Sequence, residues 1–349
     1  MNQFNPNVLK LLSLLSLLIV IYNCEYERQN DAENYHQLID KAELAICDTD
    51  FRTALENYGL AFRQIKRPFG KDVYNAALAA EASEYHKERD QYLQQLIDGS
   101  EELGFIKKTF LSNFMKAPEW DILESNRKLD YDATMRTEMA EIRNREQLFR
   151  PDHANCGDTI NALRDLNLNR LMELTAASGF PSHLEIGYSD SLVKQPHHIV
   201  LEHTAQKRNG DKSITDLETV LRVAVHKGRI DPELAILYLK LQNDSEMGRF
   251  EIYSACQYRH PLLPDSMSNA FWIAKTSDSN RAEINEIRTQ WYADPIEDIQ
   301  IKAAFLASTD LPFIFTSVNQ SIANISKNIT AEAAVEQYLF FTSNKKMAK

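Results

Sequence analysis

Glycine and proline are scarce, 10 and 11 among 349 residues. So few glycines exclude a fold built on glycine-rich, phosphate-cradling turns, and so few turn formers of either kind disfavour a many-turned β architecture. Long helices remain. Basic residues are outnumbered, 39 Lys and Arg against 50 Asp and Glu for a net charge of −11, with no dense basic run interleaved with aromatics. The electrostatic footprint of a nucleic-acid partner is missing, and the charge describes an acidic, solvated surface. Cysteine is limited to Cys24, Cys47, Cys156 and Cys256, at spacings that fit neither a zinc knuckle nor a CxxC pair. With Cys24 set aside, three are left, either isolated semi-buried thiols or one bridge and a spare. Two catalytic signatures are also absent, the Gly-x-Ser-x-Gly elbow and the His-Glu-x-x-His pair.

What the chain does have is hydrophobic content, 44%, ample for a core over a length that favours two domains. It also has a repeat. Sliding the sequence by 34 positions lays Lys41–Ile46 over Asn75–Ala80, pairing Ala42 with Ala76, Leu44 with Leu78 and Ala45 with Ala79. Downstream, Asp50-Phe51 falls on Glu84-Tyr85, Tyr58 on Tyr92 and Phe62 on Leu96. Small residues in the first half and large ones in the second describe a helical hairpin, and the pattern resembles the tetratricopeptide repeat. That resemblance implies a stack with a concave groove for an extended peptide or helix, and so a protein partner. Helices are expected over Asn34–Ile46, Phe51–Ile65, Lys71–Ala82 and Lys87–Ile97, with Asp48-Thr-Asp50 supplying a turn and an N-cap. The stripe Phe51, Tyr58, Phe62, Tyr85 and Tyr92 reads as core.

Near the amino terminus, Lys10 precedes Leu11–Tyr22, apolar except for Ser13 and Ser16, and Asn23-Cys24 follows. The run is short of the ~20 residues of a membrane span and has the form of a secretory leader. Cys24 resembles the lipidated cysteine of a bacterial lipoprotein, which implies an exported chain held at the cell envelope by lipid. A simply cleaved or uncleaved leader, or a chain that is not exported, are the alternatives.

The resulting division is a leader over 1–24, repeats with a capping helix at Ile106–Met115 over 25–117, and a bridging helical segment over 118–150. A second helical domain follows over 151–310, then a linker and helix over 311–349. The bridge carries Met135, Met139, Ile142 and Phe149 on one stripe, Pro151 stops it, and a loop with His153 and Cys156 leads on. Ser213–Lys227 and Asp231–Leu241 form a further hairpin, broken at Gly228. The fold class is mainly α.

Four short motifs mark the second domain: Glu146-Gln147-x-x-Arg150, Asp165-x-Asn167, Gly179-Phe180-Pro181 and Ile199–His203, with Asn285-x-x-Arg288 further on. Their order and separation resemble an uncharacterised bacterial domain family, with Glu202 and Asn243-Asp244-Ser245 departing from its pattern. No activity comes with that resemblance. Read from the residues alone, Gln147, Arg150, Asp165, Asn167 and His203 form a polar network, with Arg150 and Asp165 as a partly buried clamp between the bridge and the second domain. If the domain carries chemistry, His203 beside Glu202 is its base. If it carries a metal, His197, His198 and His203 are the ligands, since an extended segment would set His197 and His203 on one face. The sequence favours a scaffold that binds a protein through its repeats and a membrane through its leader, with no cofactor and no assigned catalytic residue. An envelope hydrolase or small-ligand sensor with a pocket around His203 is the alternative.

Overall fold

The computed structural model describes residues 31–100, 116, 118–148, 153–206, 217–242, 255–259, 271–324 and 338–341. The leader with Cys24, the capping segment Ile106–Met115 and Arg150 lie outside the described residues. The described part is mainly helical, and no helix in it is long and apolar enough to cross a membrane.

Two hairpins open the fold: α1 (31–47) with α2 (Phe51–Ala61), then α3 (Gly70–Ala82) with α4 (His86–Gly99). Asp50 caps α2 by accepting from the Thr53 amide at 3.1 Å, as its position before Phe51 predicts. Both hairpins turn through the same conformation. Thr49 and Glu84 have φ of 60° and 62°, and the next residues, Asp50 and Tyr85, have φ/ψ of −88°/72° and −85°/68°. These positions are 35 apart, as are the buried pairs Ala54 and Arg89, Tyr58 and Leu93, Ala61 and Leu96. In its second helices the repeat therefore has a spacing of 35, and Leu93 rather than Tyr92 matches Tyr58. One residue of shift turns a helical side chain by about 100°. Tyr92 consequently leaves the buried face and packs edge-on against Phe62, with ring centroids 5.7 Å apart, while Tyr85 is exposed.

The groove expected of such a stack is not free. Every residue of α3 from Gly70 to Ala80 is buried. Asn75 grips both backbone groups of Ile314, its Nδ2 donating to the carbonyl at 2.8 Å and its Oδ1 accepting from the amide at 2.9 Å. Phe313 from the same segment stacks on Phe51, and Phe313 and Phe315 are buried. From another side, Leu192 accepts from the Lys71 amide at 3.1 Å and Tyr188 donates to the Pro68 carbonyl at 3.0 Å. The chain fills its own groove.

Beyond α4 come α5 (Pro118–Ser125) and α6 (Ala133–Gln147), so the bridging segment is two helices rather than one. Asp132 explains the break, because its carboxylate accepts from the amides of Thr134 and Met135 and starts α6 afresh. Helix α7 (His153–Ser178) begins where a loop was expected and is kinked at Cys156. Gly179, at φ +84°, ends it before Phe180-Pro181. Next come α8 (His183–Ile186), α9 (His198–Gln206), α10 (Leu217–His226) and α11 (Pro232–Gln242), with Gly228 at φ +62° in the last connection.

The remainder mixes strands with helices: β1 (Ala255–Arg259), β2 (Phe271–Ala274), α12 (Asp278–Gln290), α13 (Ile296–Ser308), β3 (Val318–Asn324) and β4 (Tyr338–Phe341). The sheet order is β3-β1-β2-β4, with β1 and β3 parallel and the other pairs antiparallel. Reading 311–349 as a linker and helix misses β3 and β4. Aromatic Tyr338–Phe341 suits a pleated surface, and Phe341 pairs with Phe271 across the ladder.

Two hydrophobic clusters organise these elements. One joins the hairpins to Trp120, Phe271, Ile273, Ile296, Ile299, Phe313 and Val318. The other joins α6, α7, α9, α10 and α11 around Met139, Leu171, Val200, Leu221 and Tyr238. Strand β2, helix α13 and the segment 313–318 therefore share the core of the amino-terminal hairpins, while Trp291 joins the second cluster; the sequence division grouped residues up to 310 with the second domain.

Gly187 locks the crossing between the two halves. At φ +71°, a Cβ on it would lie 2.3 Å from the Gly99 carbonyl oxygen. Gly187→Ala is expected to lower the unfolding free energy by about 2–3 kcal/mol, read from the urea midpoint.

Candidate functional site

A buried polar network joins three helices of the second domain, centred one residue before the Gln147 of the expected set and sharing only Asn167 and His203 with it. Its centre is Glu146, whose Oε1 meets His203 Nδ1 at 2.8 Å and whose Oε2 accepts from Asn167 Nδ2 at 3.1 Å. Arg164 Nε lies 3.6 Å from Glu146 Oε1, and Arg145 donates to Asn167 Oδ1 at 3.1 Å. Burial alone would raise the Glu146 carboxyl, yet the bonds from His203 and Asn167 and the nearby charges hold it below its ordinary value. Asn167 and His203 sit where the sequence placed them. Gln147 and Asp165 are exposed, so neither belongs to the buried network. The signal was available: Met139, Ile142 and Glu146 share a stripe at intervals of three and four, as do Arg164, Asn167, Leu168 and Leu171.

The network ties α6, α7 and α9 together and offers little chemistry. No hydroxyl or thiol among the described residues bonds His203, and Glu202 pairs instead with Lys194. The segment from His198 is helical, not extended, so the alternation proposed for His197, His198 and His203 does not apply. His203 turns to Glu146 while His197 and His198 pack against Phe180, His198 also against Tyr238. Among the described residues no three His, Cys, Asp or Glu side chains converge as a metal site.

A denser cluster lies where α1 and α3 meet α11, α12 and α13. Lys302 Nζ is completely buried and contacts Glu43 at 2.6 Å, Asp294 at 2.7 Å and Asp40 at 2.9 Å. Lys71 Nζ contacts Asp72 at 2.7 Å, Glu43 at 3.3 Å and Asp231 at 3.5 Å, so Glu43 bridges both lysines. Asp231 also starts α11, its Oδ1 accepting from the Glu233 amide at 3.0 Å while its Oδ2 faces Lys71 and Thr316. Arg288 pairs with Glu233 and donates to the Asp294 carbonyl, and Asn285 Oδ1 accepts from the Ile296 amide at 3.0 Å. The Asn285-x-x-Arg288 motif thus builds the corner that presents Asp294. Tyr35 donates to Asp72 at 2.5 Å.

These groups wall a cavity of ≈ 20 Å³ lined by His36, Glu43, Lys71, Asp231, Glu233, Asp294, Thr316 and Ser317, among others. That is room for one water-sized group. His36 is only 8% exposed, and its Nε2 has no hydrogen-bond partner among the described residues. Burial, reinforced by Lys71, pushes its imidazole down to about 3. Burial raises Asp40 and Glu233 to about 7 and Asp72 to about 6, against the pull of Lys302, Arg288 and Lys71. Asp294 goes the other way, because the Lys302 charge and hydrogen bond overcome its burial. Of this site the sequence marked only Asn285-x-x-Arg288, without its partners. The other members are spread over α1, α3, α11, α13 and the connections before α11 and α13, and in one dimension each looks like an ordinary surface charge.

These shifts set opposing pH dependences. Burial also lowers His183 to about 4, His197 to about 3 and His198 well below its usual value. Each depressed histidine stabilises the fold above an unfolded pKa of about 6.5, a contribution lost as pH falls through the folded value. Each raised carboxyl stabilises it below about 4 and loses that contribution as pH rises through its folded value of 6 to 7. His226 is lowered and Asp298 raised in the same way, so five histidines face four carboxyls, and the balance is a rise in stability from pH 5 to about 6.2 with little change from there to pH 7.5. The urea midpoint at pH 5 is expected to be the lowest of those at pH 5, 6.2 and 7.5.

No family model, curated protein or solved structure matches this chain. Its function has to be argued from the cluster itself.

Proposed function

We propose that this chain is a receptor for a small polar ligand, held at the bacterial envelope by its leader and Cys24. The observation that supports it is the unpartnered Nε2 of buried His36, set in a water-sized cavity among carboxylates. An unsatisfied buried group costs about 1–3 kcal/mol, and what sets His36 Nε2 apart from the ring nitrogens of His197, also unpartnered among the described residues, is the acidic cavity it lines. The hairpins, similar to tetratricopeptide repeats, supply one wall through His36, Glu43 and Lys71. Native mass spectrometry of the chain purified from its own cells tests the reading. A small molecule retained by the intact chain and lost in His36→Phe supports it; identical bare masses for both sink it.

A protein-interaction scaffold is the second reading, favoured by the Asn75 grip on Ile314, which is how a helical array holds an extended partner. With that groove occupied, a partner would meet the outer residues of α2 and α4, where Leu60 and Arg52 are exposed. A photo-crosslinker at position 60 in living cells should then capture one protein that a crosslinker at exposed Leu129 does not. Equal capture at both positions counts against it.

A further inference from the structure

We infer that the cavity beside His36 takes a protonated amine, either ammonium itself or a primary ammonium head group whose remainder lies in the mouth of the cleft. This names the ligand class of the receptor reading and rests on it. Charge is the first argument. Asp40, Glu43, Asp72, Asp231, Glu233 and Asp294 are six carboxyls facing three cations, Lys71, Lys302 and Arg288, an excess of three acidic groups in a buried volume. Such an excess is neutralised by bound protons or by a cation. Asp298 on α13, close to Lys302 and Asp40, adds to the acidic side, and His183, which also faces His36, is neutral.

Donor and acceptor count is the second argument. In its Nδ1-protonated tautomer, neutral His36 presents Nε2 as an acceptor with nothing to accept from. The carboxylates of Glu43, Asp231, Glu233 and Asp294 line the same space beside a single cation, Lys71, which Asp72, Glu43 and Asp231 already engage, so acceptors outnumber donors there. An ammonium group is about the size of water and carries only donors. Size is the third argument, because ≈ 20 Å³ admits such a head and nothing bulkier. A metal ion is a poorer fit, since the one point on which three carboxylates converge is filled by Lys302 Nζ and no other group among the described residues is arranged to hold a metal.

The cation replaces a proton. As R–NH₃⁺ enters, one carboxylic acid of the cluster releases H⁺ to the buffer and the new carboxylate accepts from the ammonium, so the net charge of the site is unchanged. Calorimetry on the purified chain at pH 6.2, in phosphate and in MOPS, reads that release as a dependence of the binding heat on buffer. The probes are ammonium, methylammonium and ethanolammonium chlorides, with sodium chloride, sodium acetate and methanol beside them. Saturable binding of an ammonium salt with proton release is expected, weakened about tenfold in His36→Phe by loss of one hydrogen bond. Ser317→Val, a smaller change, checks that the effect follows the cavity if His36→Phe fails to fold. Acetate or methanol binding with the same dependence on His36 would overturn the amine assignment and leave the receptor reading standing. A response equal to that of sodium chloride, or no binding by any solute, would overturn both.

Discussion

Replacing Lys302 with methionine is expected to lower the unfolding free energy at pH 7 by about 3–5 kcal/mol, among the largest single-residue effects in the molecule. The side chain is fully buried and answers three carboxylates, Asp40, Glu43 and Asp294, within 2.9 Å. Methionine keeps the volume and removes the charge, so the loss measures uncompensated acidity rather than a cavity. Burial works against a lysine charge, yet the carboxylates hold Lys302 well above its ordinary value, and the ammonium is the form that must be missing. The deficit should shrink as pH falls toward 5, because Asp40, already raised to about 7, then keeps its proton and the repulsion eases. Urea unfolding of both chains at pH 7 and pH 5 checks this. A deficit of the same size at both values would mean that lost packing, not charge, accounts for it.

Glu146→Ala should cost a comparable amount, about 3–5 kcal/mol, while Gln147→Ala on the next residue changes stability by less than about 0.5 kcal/mol. Removing Glu146 leaves Arg164, Asn167 and His203 facing one another in the interior without the acceptor that joins them. Gln147 is exposed. Parallel thermal and urea denaturation of the two variants decides the phase of α6 in a single comparison. Equal losses would place both side chains in the interior, against the exposure of Gln147.

This pair shows how far a linear reading reached. Both residues stand in the motif, and sequence order alone gives no reason to prefer either. The stripe of Met139 and Ile142 does, since it is what the second core grips, and extending it by four positions reaches Glu146. The same holds for Arg164 against Asp165. Where the periodic signal is clear the outcome is close: Asp50 caps α2, Gly228 and Asp231 frame the turn into α11, and of the aromatic stripe Tyr58 is core, Phe51, Phe62 and Tyr92 pack against it half-buried, and Tyr85 is exposed. Where a shift of 34 was carried from the first helices into the second, Tyr92 was matched one residue early, because the turn at Glu84 sets the phase of α4.

By itself, then, the sequence determined the helical class, the first two hairpins and the Asp50 cap, and it placed Asn167 and His203 among five candidates for a polar network. Those features depend on local spacing, which a chain carries along its length. Tertiary structure alone decided that the groove of the hairpins is filled by Phe313–Phe315, that β2 and α13 share their core, and that four strands pair as a sheet. It alone brought His36, Glu43 and Lys71 against Asp231, Glu233, Asp294 and Lys302. The physical reason is range: hydrogen bonds within a helix join residues four apart, while Lys302 reaches Asp40 across 262 positions. A charge on a helix face looks the same in one dimension whether it meets water or another charge.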